Sequence, residues 1–274
     1  MPSSVCYLPE RGYRLSPMIV AGVDVGVKNV KVVLFDDSQL KSQLILPVGM
    51  EPVTGMVEKA LADLSRQANL APGDIQRVLA TGYGAFLLPY PRISDSICLA
   101  RGAYFVRSSC GTAMDIGAQR SMAASCTGGV CTKFSANGKC AVGSGMFLEA
   151  VANVLRLKLE DMANLPSQGD NKIQVSSMCV VFAESEIISL VHEGAPVADI
   201  VRGAVNALAA QIYPLLVQVG MARDVLLCGG VARSRVLVAA LQELIGFEAV
   251  VAEQPEFVPA YGAALIATER REWS

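Results

Sequence analysis

The chain has 274 residues, 52% of them hydrophobic, and a formal net charge of −2 at pH 7, which predicts a globular protein of one large or two medium domains. This net charge shows no excess of basic residues, so nothing in the composition indicates a nucleic-acid partner. The longest apolar segment is interrupted by Asn206, Gln211 and Gln218, so we expect no membrane span, which needs about 18 uninterrupted apolar residues.

Residues 1–17 are interpreted as an N-terminal extension. They contain no apolar core segment and therefore do not resemble a secretory signal. Met18 stands directly before the first predicted strand and is an alternative start. The chain has 8 cysteines, and without a targeting segment these suit a reducing cytoplasm, where thiols stay free or bind metal. We therefore expect a cytoplasmic protein.

Strands and helices alternate along the first half of the chain. Apolar segments predict strands at residues 18–26 and 30–37, a helix over 53–70, and a strand that runs into the glycine turn of 75–84. A second strand–turn–strand pattern follows at 111–125, where an apolar strand again leads through an Asp-x-Gly turn into a return strand. The pattern predicts an α/β protein.

An Asp-x-Gly turn that follows an apolar strand, called a corner below, occurs twice in the sequence. Asp-Val-Gly at 24–26 matches Asp-Ile-Gly at 115–117, which indicates a duplicated α/β unit. A chance match is the alternative, since Asp-x-Gly turns are common in α/β proteins. Helical and strand patterns continue to the end of the chain. They predict helices near 145–157, 182–193, 197–220, 234–246 and 261–272, and strands at 224–232 and 248–253.

Two Asp-Gly corners that face each other would form a nucleotide site. Each turn offers backbone N–H groups to phosphate oxygens, and each aspartate can hold a hydrated magnesium ion or orient a water molecule. A P-loop and a Rossmann site are excluded, because neither G-x-x-x-x-G-K-[ST] nor a complete G-x-G-x-x-G occurs. Gly229 and Gly230 close a strand before a helix, where an adenosine could lie; a plain strand-to-helix turn is the alternative.

Cys140 and Cys179 each precede a predicted helix. A helix N-terminus lowers the pKa of a thiol and favours negative charge, as an iron–sulfur cluster on thiolates would supply. A four-cysteine cluster needs two more ligands, either Cys126 and Cys131 or the same two positions of a partner chain. The alternative is that both cysteines are small buried residues without a ligand.

Seven segments carry a family resemblance. They occur in the order seen in the ATPases that activate 2-hydroxyacyl-CoA dehydratases and in the ATP-binding subunits of benzoyl-CoA reductase: AGVDVGVKNVKVVLFDD, TGYG, DIGAQ, KCAVGSGMFLEAVA, CVVFAESEIISL, LLCGGVARSRVLVAAL and YGAALIA. From Met18 onward the chain resembles this family. The resemblance implies an α/β protein with an actin-like ATPase fold of two ribonuclease-H-like lobes, with ATP or ADP and Mg²⁺ in the cleft. It also implies a [4Fe-4S] cluster shared between two protomers.

The family's functional positions transfer to this sequence residue by residue. The resemblance implies catalytic roles at Asp24, Asp115 and Gln119. It implies nucleotide contacts from the phosphate corners and the adenosine loop: Gly26, Val27, Lys28, Gly117, Gly229 and Gly230. It implies that Cys140 and Cys179 are the cluster ligands. The expected division is a first lobe at 18–107, on which a C-terminal helix at 258–274 packs back, and a second lobe at 108–257.

The function that the resemblance implies is ATP-driven electron transfer. A ferredoxin-type donor would reduce the cluster, and the electron would pass to catalytic acyl-CoA reductase or dehydratase subunits. The motifs DIGAQ and VGSG are closer to the D-type subunit of benzoyl-CoA reductase, and a homodimeric dehydratase activator is the alternative. A small-molecule kinase or a non-enzymatic nucleotide switch of the same fold, without a cluster, is the alternative of another class.

Two positions depart from the activator pattern. Val27 stands where a serine or threonine is usual, and Arg120 stands where activators carry an acidic residue. Both lie in the phosphate corners. We therefore predict that the isolated chain hydrolyses ATP weakly and depends on a second ATPase protomer, which is either a paralogous subunit or another copy of the chain.

Overall fold

A computed structural model describes residues 18–71, 73–138, 143–165, 173–175 and 180–269. The predicted extension 1–17 and both predicted cluster ligands, Cys140 and Cys179, lie outside the described residues. The strands are β1 (Ile19–Val25), β2 (Asn29–Asp36), β3 (Gln39–Pro47), β4 (Arg77–Thr81), β5 (Thr112–Ile116), β6 (Ser121–Thr127), β7 (Val130–Ala136), β8 (Val225–Cys228) and β9 (Val250–Val251). The helices are α1 (Val53–Gln67), α2 (Asp95–Val106), α3 (Gly145–Leu155), α4 (Val180–His192), α5 (Val197–Gln218), α6 (Arg235–Ile245) and α7 (Val258–Glu269).

The strands form two sheets with the same internal plan. The first sheet has the order β3-β2-β1-β4, and the second has the order β7-β6-β5-β8-β9. β1 pairs antiparallel with β2 and parallel with β4, and β5 pairs antiparallel with β6 and parallel with β8. The predicted duplication of one α/β unit is therefore present in the strand pairing.

Helices cover both faces of each sheet. α1 packs on one face of the first sheet, and α7 packs on the other face. On the second sheet, α3 to α6 share one apolar core, while α2 lies on the opposite face. All seven residues of β1 are buried, because a strand that is covered on both faces needs apolar side chains in both directions. α7 shares its apolar core with the first sheet. The predicted division into lobes, with a C-terminal helix that packs back on the first lobe, stays a prediction.

α2 and α7 cross at backbone-to-backbone distance. A Cβ atom on Gly102 would lie 1.9 Å from the Val258 carbonyl oxygen, and a Cβ atom on Gly262 would lie 1.8 Å from the Cys98 carbonyl oxygen. Only glycine fits at such a contact. α2 also packs on β5 and β6 of the second sheet, so this helix pair joins the two sheets.

The α5 helix is long and apolar enough to cross a membrane by length and composition, and 56% of its most apolar 18-residue window is buried inside the protein. Its side chains, from Ile200 to Leu216, belong to the core that also contains α3 and α6. A helix that is apolar on most sides is typical of a protein core as well as of a membrane. In the described part of the chain, α5 therefore has the packing of a core helix.

Several predicted boundaries were wrong by a few residues. The helix predicted at 145–157 ends at Leu155, because Arg156 adopts a left-handed conformation with a φ of 54°. The strand predicted at 248–253 is only the two-residue β9, and the last helix begins at Val258 instead of Tyr261. The sequence analysis also missed β3, α2 and β7. β3 and β7 are mostly exposed edge strands, so they lack the apolar alternation that reveals a buried strand.

Candidate nucleotide site

The two predicted corners have the same hydrogen-bonded turn. The Gly26 N–H donates to the Asn29 carbonyl at 3.0 Å, and the Gly117 N–H donates to the Arg120 carbonyl at 2.9 Å. Each turn joins the strand that carries its aspartate, β1 or β5, to the antiparallel return strand. The remaining N–H groups of such a turn can point at an anion, which is how backbone amides bind phosphate.

A glycine directly after the neighbouring parallel strand lies against the side chain of each aspartate, where a larger residue would clash. A Cβ atom on Gly82, which follows β4, would lie 2.3 Å from Oδ1 of Asp24, and a Cβ atom on Gly229, which follows β8, would lie 2.5 Å from Oδ1 of Asp115. Both glycines have positive φ angles, 92° and 83°. The two halves of the chain therefore hold their aspartates in the same way.

One cleft collects all the predicted site residues that the structure describes. Its volume is about 370 Å³. Its lining includes the nine predicted residues of the corners and the adenosine loop: Asp24, Gly26, Val27, Lys28, Asp115, Gly117, Gln119, Gly229 and Gly230. Both sheets contribute to it, so the cleft lies between the two repeated units. The individual roles of these residues stay predictions.

Ion pairs cross this cleft at two points. Lys28 of the first corner pairs with Glu149 on α3, and Arg120 of the second corner pairs with Asp95 at the start of α2. A third pair joins Arg233 to Glu256 beside the adenosine loop. These pairs place fixed charges of both signs around the space that a polyphosphate would occupy.

Lys31 is a site residue that the sequence analysis missed. Its Nζ atom donates to Oδ2 of Asp24 at 2.8 Å, and its side chain is only 15% exposed. The signal in the sequence was a lysine between the apolar residues of β2, where Val30, Val32 and Val33 are buried. A lysine in a buried strand needs a charged partner, so its position pointed to the aspartate on the adjacent strand.

The electrostatic environment raises two pKa values in the cleft. Burial raises the pKa of the Asp115 carboxyl to about 7, and the negative charge of Asp24 adds to the rise, against the lowering effect of Lys31 and Arg120. Burial lowers the pKa of the Lys31 ammonium, but the attraction and the hydrogen bond of Asp24 outweigh it, so that pKa lies above its ordinary value. The two aspartates therefore interact electrostatically through the cleft.

The donor set suits a hard divalent cation. Mg²⁺ prefers carboxylate, carbonyl and water oxygens, and it usually keeps several waters when it binds with a nucleotide. Asp24, Asp115 and Gln119 offer such oxygens on one cavity. Among the described residues, no group of three or more His, Cys, Asp or Glu side chains could hold a metal ion alone. The oxygens of Asp24, Asp115 and Gln119 fit an ion that completes its shell with water and phosphate.

The second corner is connected to helix α3 by two backbone hydrogen bonds. The Gly145 N–H donates to the Gly117 carbonyl at 3.0 Å, and the Met146 N–H donates to the Ala118 carbonyl at 2.8 Å. These two N–H groups belong to the first turn of α3, where no partner within the helix is available. A displacement of the corner would therefore be passed to the start of α3, which follows the segment that contains Cys140.

Cys126 and Cys131 lie at the other end of the second sheet. They pair in register on β6 and β7, next to the hairpin tip. Their thiols donate to the carbonyls of Ala124 and Lys133. Ala136 is five positions after Cys131, which is about 17 Å at the rise of a strand. After β7 the chain lies beside the second corner again, where the Asn137 N–H donates to the carbonyl of Ser121, the residue after Arg120.

Two known proteins are similar in sequence to this chain over nearly its whole length. The activator of lactoyl-CoA dehydratase from Anaerotignum propionicum is 36% identical over 259 residues, which is 92% of this chain and 98% of that protein. The D-type subunit of benzoyl-CoA reductase from Thauera aromatica is 32% identical over 266 residues, which is 93% of this chain and 94% of that protein.

Solved structures show the same fold. The (R)-2-hydroxyglutaryl-CoA dehydratase component A of Acidaminococcus fermentans superposes with a TM-score of 0.84 at 32% identity, covering 92% of this chain and 98% of that one. The activator of the 2-hydroxyisocaproyl-CoA dehydratase from Clostridium difficile, with bound ADPNP, has a TM-score of 0.81 at 31% identity, covering 94% of this chain and 100% of that one. A glucokinase of the ROK family from Streptomyces griseus shares the fold alone, with a TM-score of 0.60 at 14% identity, covering 92% of this chain and 100% of that one.

The predicted actin-like ATPase fold is confirmed. The family model matches residues 21–267, which include both corners, the cleft, α2 and all but the last two residues of α7. The chain therefore belongs to the BadF/BadG/BcrA/BcrD ATPase family.

Proposed function

We propose that this chain is an ATP-hydrolysing activator that delivers electrons to a catalytic acyl-CoA enzyme, in the first place a 2-hydroxyacyl-CoA dehydratase. The observation that carries the proposal is the pair of hydrogen bonds from Gly145 and Met146 to the second phosphate corner. These bonds link the nucleotide cleft to α3, the helix that follows Cys140. Support also comes from the dehydratase activators that are 32–36% identical to this chain.

ATP would bind between the two corners. The backbone N–H groups of Gly26 and Gly117 lie in the turns that receive the phosphates, and Asp24 and Asp115 would orient the Mg²⁺ ion and the attacking water. Gly229 and Gly230 would lie against the adenosine. Opening and closing of the cleft would change both ion pairs. Lys28 of the first corner pairs with Glu149 on α3, and Arg120 of the second corner pairs with Asp95, which accepts hydrogen bonds from Thr81 and Gly82 at the end of β4.

Cys140 and Cys179, with the same two residues of a second protomer, would hold the bridging cluster. A [4Fe-4S] cluster supplies one-electron transfer at low potential, with electrons from a ferredoxin-type donor. The position of Cys126 and Cys131 supports ligands from two chains. Cys131 lies about 17 Å along β7 from Ala136, the last residue of that strand, and Cys126 lies opposite Cys131 on β6. The described cysteines Cys98, Cys110, Cys126, Cys131 and Cys228 are free thiols, which supports a reducing, cytoplasmic location.

Anaerobic purification of the full chain tests this function. We expect iron–sulfur absorbance, a dimer that dissociates on chelation, and ATP-dependent activation of a dehydratase component. Cys140→Ser and Cys179→Ser should each lose the iron and loosen the dimer. The matched control, Cys126→Ser with Cys131→Ser, should retain both. An unchanged iron content in the Cys140 variant, or its loss in the control, would contradict the bridging arrangement.

A D-type subunit of benzoyl-CoA reductase is the second candidate. The segments DIGAQ and VGSG favour it, and the D-type subunit from Thauera aromatica is a relative of similar identity, 32%. The two candidates would differ in quaternary structure, because a D-type role for this chain implies a paralogous ATPase subunit as its partner. Copurification of a paralogous ATPase subunit would favour the reductase, whereas a homodimer that activates a dehydratase by itself would favour the activator.

Val27 and Arg120 bear on whether the chain hydrolyses ATP alone. Val27 lines the cleft without a hydroxyl group, and Arg120 pairs with Asp95. We expect weak ATP turnover by the isolated chain and a clear increase when its partner subunit is added. Val27→Ser should raise the turnover of the isolated chain. Rapid hydrolysis by the isolated chain would contradict the dependence on a partner.

A further inference from the structure

Three thiols lie together at the hairpin end of the second sheet. Cys126 on β6 and Cys110, which precedes β5, are buried, and Cys131 on β7 is partly exposed. All three belong to the small apolar core between the second sheet and α2. None of the three lines the nucleotide cleft, and all are free thiols in the structure. The proposed ATP hydrolysis and the proposed cluster therefore leave these side chains without a role.

The turn of the hairpin fixes the pairing of Cys126 with Cys131. Gly128 and Gly129 are its two central residues, and both have positive φ angles, 58° and 80°. Two positive φ angles are typical of the type I′ turn, which closes a two-residue hairpin in a defined register. Cys126 and Cys131 are direct partners, one pair in from the turn. Their side chains therefore leave the sheet on the same face, the face that α2 covers.

Cys126 and Cys131 form a pair of the non-hydrogen-bonded kind. The Cys126 N–H donates to the Gly111 carbonyl at 2.9 Å, on the side of β6 that faces β5 and not β7. In an antiparallel ladder the Cα atoms of a non-hydrogen-bonded pair lie about 4.5 Å apart. A disulfide spans Cα distances of about 4.4–6.8 Å without movement of the backbone. The two thiols are therefore placed for a disulfide across the hairpin.

The three thiols differ in their access to solvent. Val130, the residue before Cys131, is 63% exposed, and a Cβ atom on Gly128 would have no neighbour within 4 Å, so the hairpin tip is open. Cys110 and Cys126 are only 3% and 4% exposed. A dissolved oxidant therefore reaches Cys131 first, and Cys126 is the thiol opposite it. A hydrogen bond from Cys126 lowers the pKa of the Cys110 thiol, so Cys110 is the competing partner of Cys126.

We propose that Cys126 and Cys131 are a reversible redox site, a dithiol that low-molecular-weight disulfides convert to a cross-strand disulfide. The Cys131 thiolate attacks one sulfur of the small disulfide, forms a mixed disulfide and releases one small thiolate. Cys126 then loses its proton and attacks the Cys131 sulfur, which closes the protein disulfide and releases the second small thiolate. The protein dithiol gives up two electrons and two protons, and the small disulfide becomes two thiols.

The geometry favours a reversible bond over a structural one. The disulfide would close a loop over residues 127–130 only, and so short a loop constrains the unfolded chain little. Because Cys131 is partly exposed, a reductant would reach the bond as easily as the oxidant does. The inference goes beyond the proposed function and does not depend on it, since neither the nucleotide nor the cluster takes part in the exchange.

The experiment treats the full, anaerobically purified chain with oxidised glutathione, alkylates the remaining thiols and maps the disulfides by mass spectrometry without reduction. Cleavage after Arg120 and Lys133 releases Cys126 and Cys131 on one peptide. We expect this peptide to carry an internal disulfide that blocks alkylation of both thiols and that excess dithiothreitol reverses.

Two variants separate the steps of the exchange. Cys126→Ser removes the second thiol, so the reaction should stop at the mixed disulfide and glutathione should stay attached to Cys131. Cys131→Ser removes the accessible thiol, so the hairpin peptide should carry about tenfold less glutathione than in Cys126→Ser, or still less, because the buried Cys126 is shielded from the oxidant.

Cys110→Ala is the matched control. It removes the other thiol beside Cys126 and should leave the yield of the disulfide between Cys126 and Cys131 unchanged. A disulfide from Cys126 to Cys110, or hairpin thiols that stay fully alkylated in the treated parental chain, would overturn the proposal. The parental chain alone gives these two results, so the test holds even if a variant does not fold. Loss of the proposed function would show instead as missing iron–sulfur absorbance, which this measurement does not use.

Discussion

Lys28 and Glu149 form an ion pair that joins the first phosphate corner to helix α3. The lysine lies in the turn between β1 and β2, and the glutamate lies on the helix that is bonded to the second corner. Both side chains are partly exposed, at 46% and 33%, so the pair adds little to stability. Its importance lies in its position, because the same ammonium is within the corner that would bind phosphate.

Glu149→Gln should increase the affinity for ATP about two- to fivefold, because it releases Lys28 for the phosphates. The free energy of unfolding should change by less than about 1 kcal/mol, as for other exposed pairs. Equilibrium binding and urea unfolding measure the two effects. Glu51→Gln, which breaks the exposed pair with Lys59, is the control and should leave ATP affinity unchanged. A weaker affinity in Glu149→Gln would show that the pair assists binding rather than competing with it.

Asp115→Asn should abolish ATP hydrolysis while the iron content stays at the parental level. Loss of a charge that stabilises the transferring phosphoryl group and its metal costs about 10²- to 10³-fold in rate. Phosphate release in the presence of the partner subunit measures it. Asp63→Asn, at an exposed pair with Arg66 on α1, is the control. Hydrolysis at the parental rate in the Asp115 variant would refute the two-corner site.

The same substitution should stabilise the nucleotide-free protein at alkaline pH. The pKa of Asp115 is raised to about 7, whereas an aspartate in an unfolded chain has a pKa of about 3.9. The folded state therefore holds the proton more tightly and loses stability relative to the unfolded chain as pH rises from about 4 to 7. Asp115→Asn removes this loss.

We expect the Asp115→Asn variant and the parental chain to be equally stable near pH 4. At pH 8 the variant should be more stable by about 2 kcal/mol, less than the full shift would give because the side chain is only partly buried. Urea unfolding over this range, without Mg²⁺ or nucleotide, measures the difference. A variant that is less stable than the parent at pH 8 would contradict the raised pKa.

Gly262→Ala should destabilise the protein by about 3 kcal/mol, since the new methyl group would lie 1.8 Å from the Cys98 carbonyl oxygen and would force α2 and α7 apart. Gly55→Ala is a matched control on α1, where a Cβ atom would have no neighbour within 4 Å. The control should instead stabilise the protein by up to about 1 kcal/mol through helix propensity. Thermal or urea unfolding of both variants tests the close crossing, and equal effects would contradict it.

The sequence by itself determined the repeated corners. Asp24 and Asp115 follow apolar strands and precede glycine turns, and this local pattern depends only on neighbouring residues. The turn at Gly229 and Gly230 indicated either an adenosine loop or a plain strand-to-helix turn, the family resemblance favoured the first, and the structure places both glycines on the same cleft. Local turn chemistry and strand periodicity are properties that a short segment carries with it, so both could be predicted without contacts between distant parts of the chain.

Only the tertiary structure decided how the corners differ. Lys31, Glu149 and Asp95 are ordinary charged residues in the sequence, and they become parts of the cleft because β2, α3 and the start of α2 meet there. The close crossing at Gly102 and Gly262 likewise joins residues 160 positions apart in the chain. Such pairings depend on how strands and helices from distant segments pack. Because the hydrophobic effect that drives this packing is non-directional, local sequence does not encode which side chains will face each other.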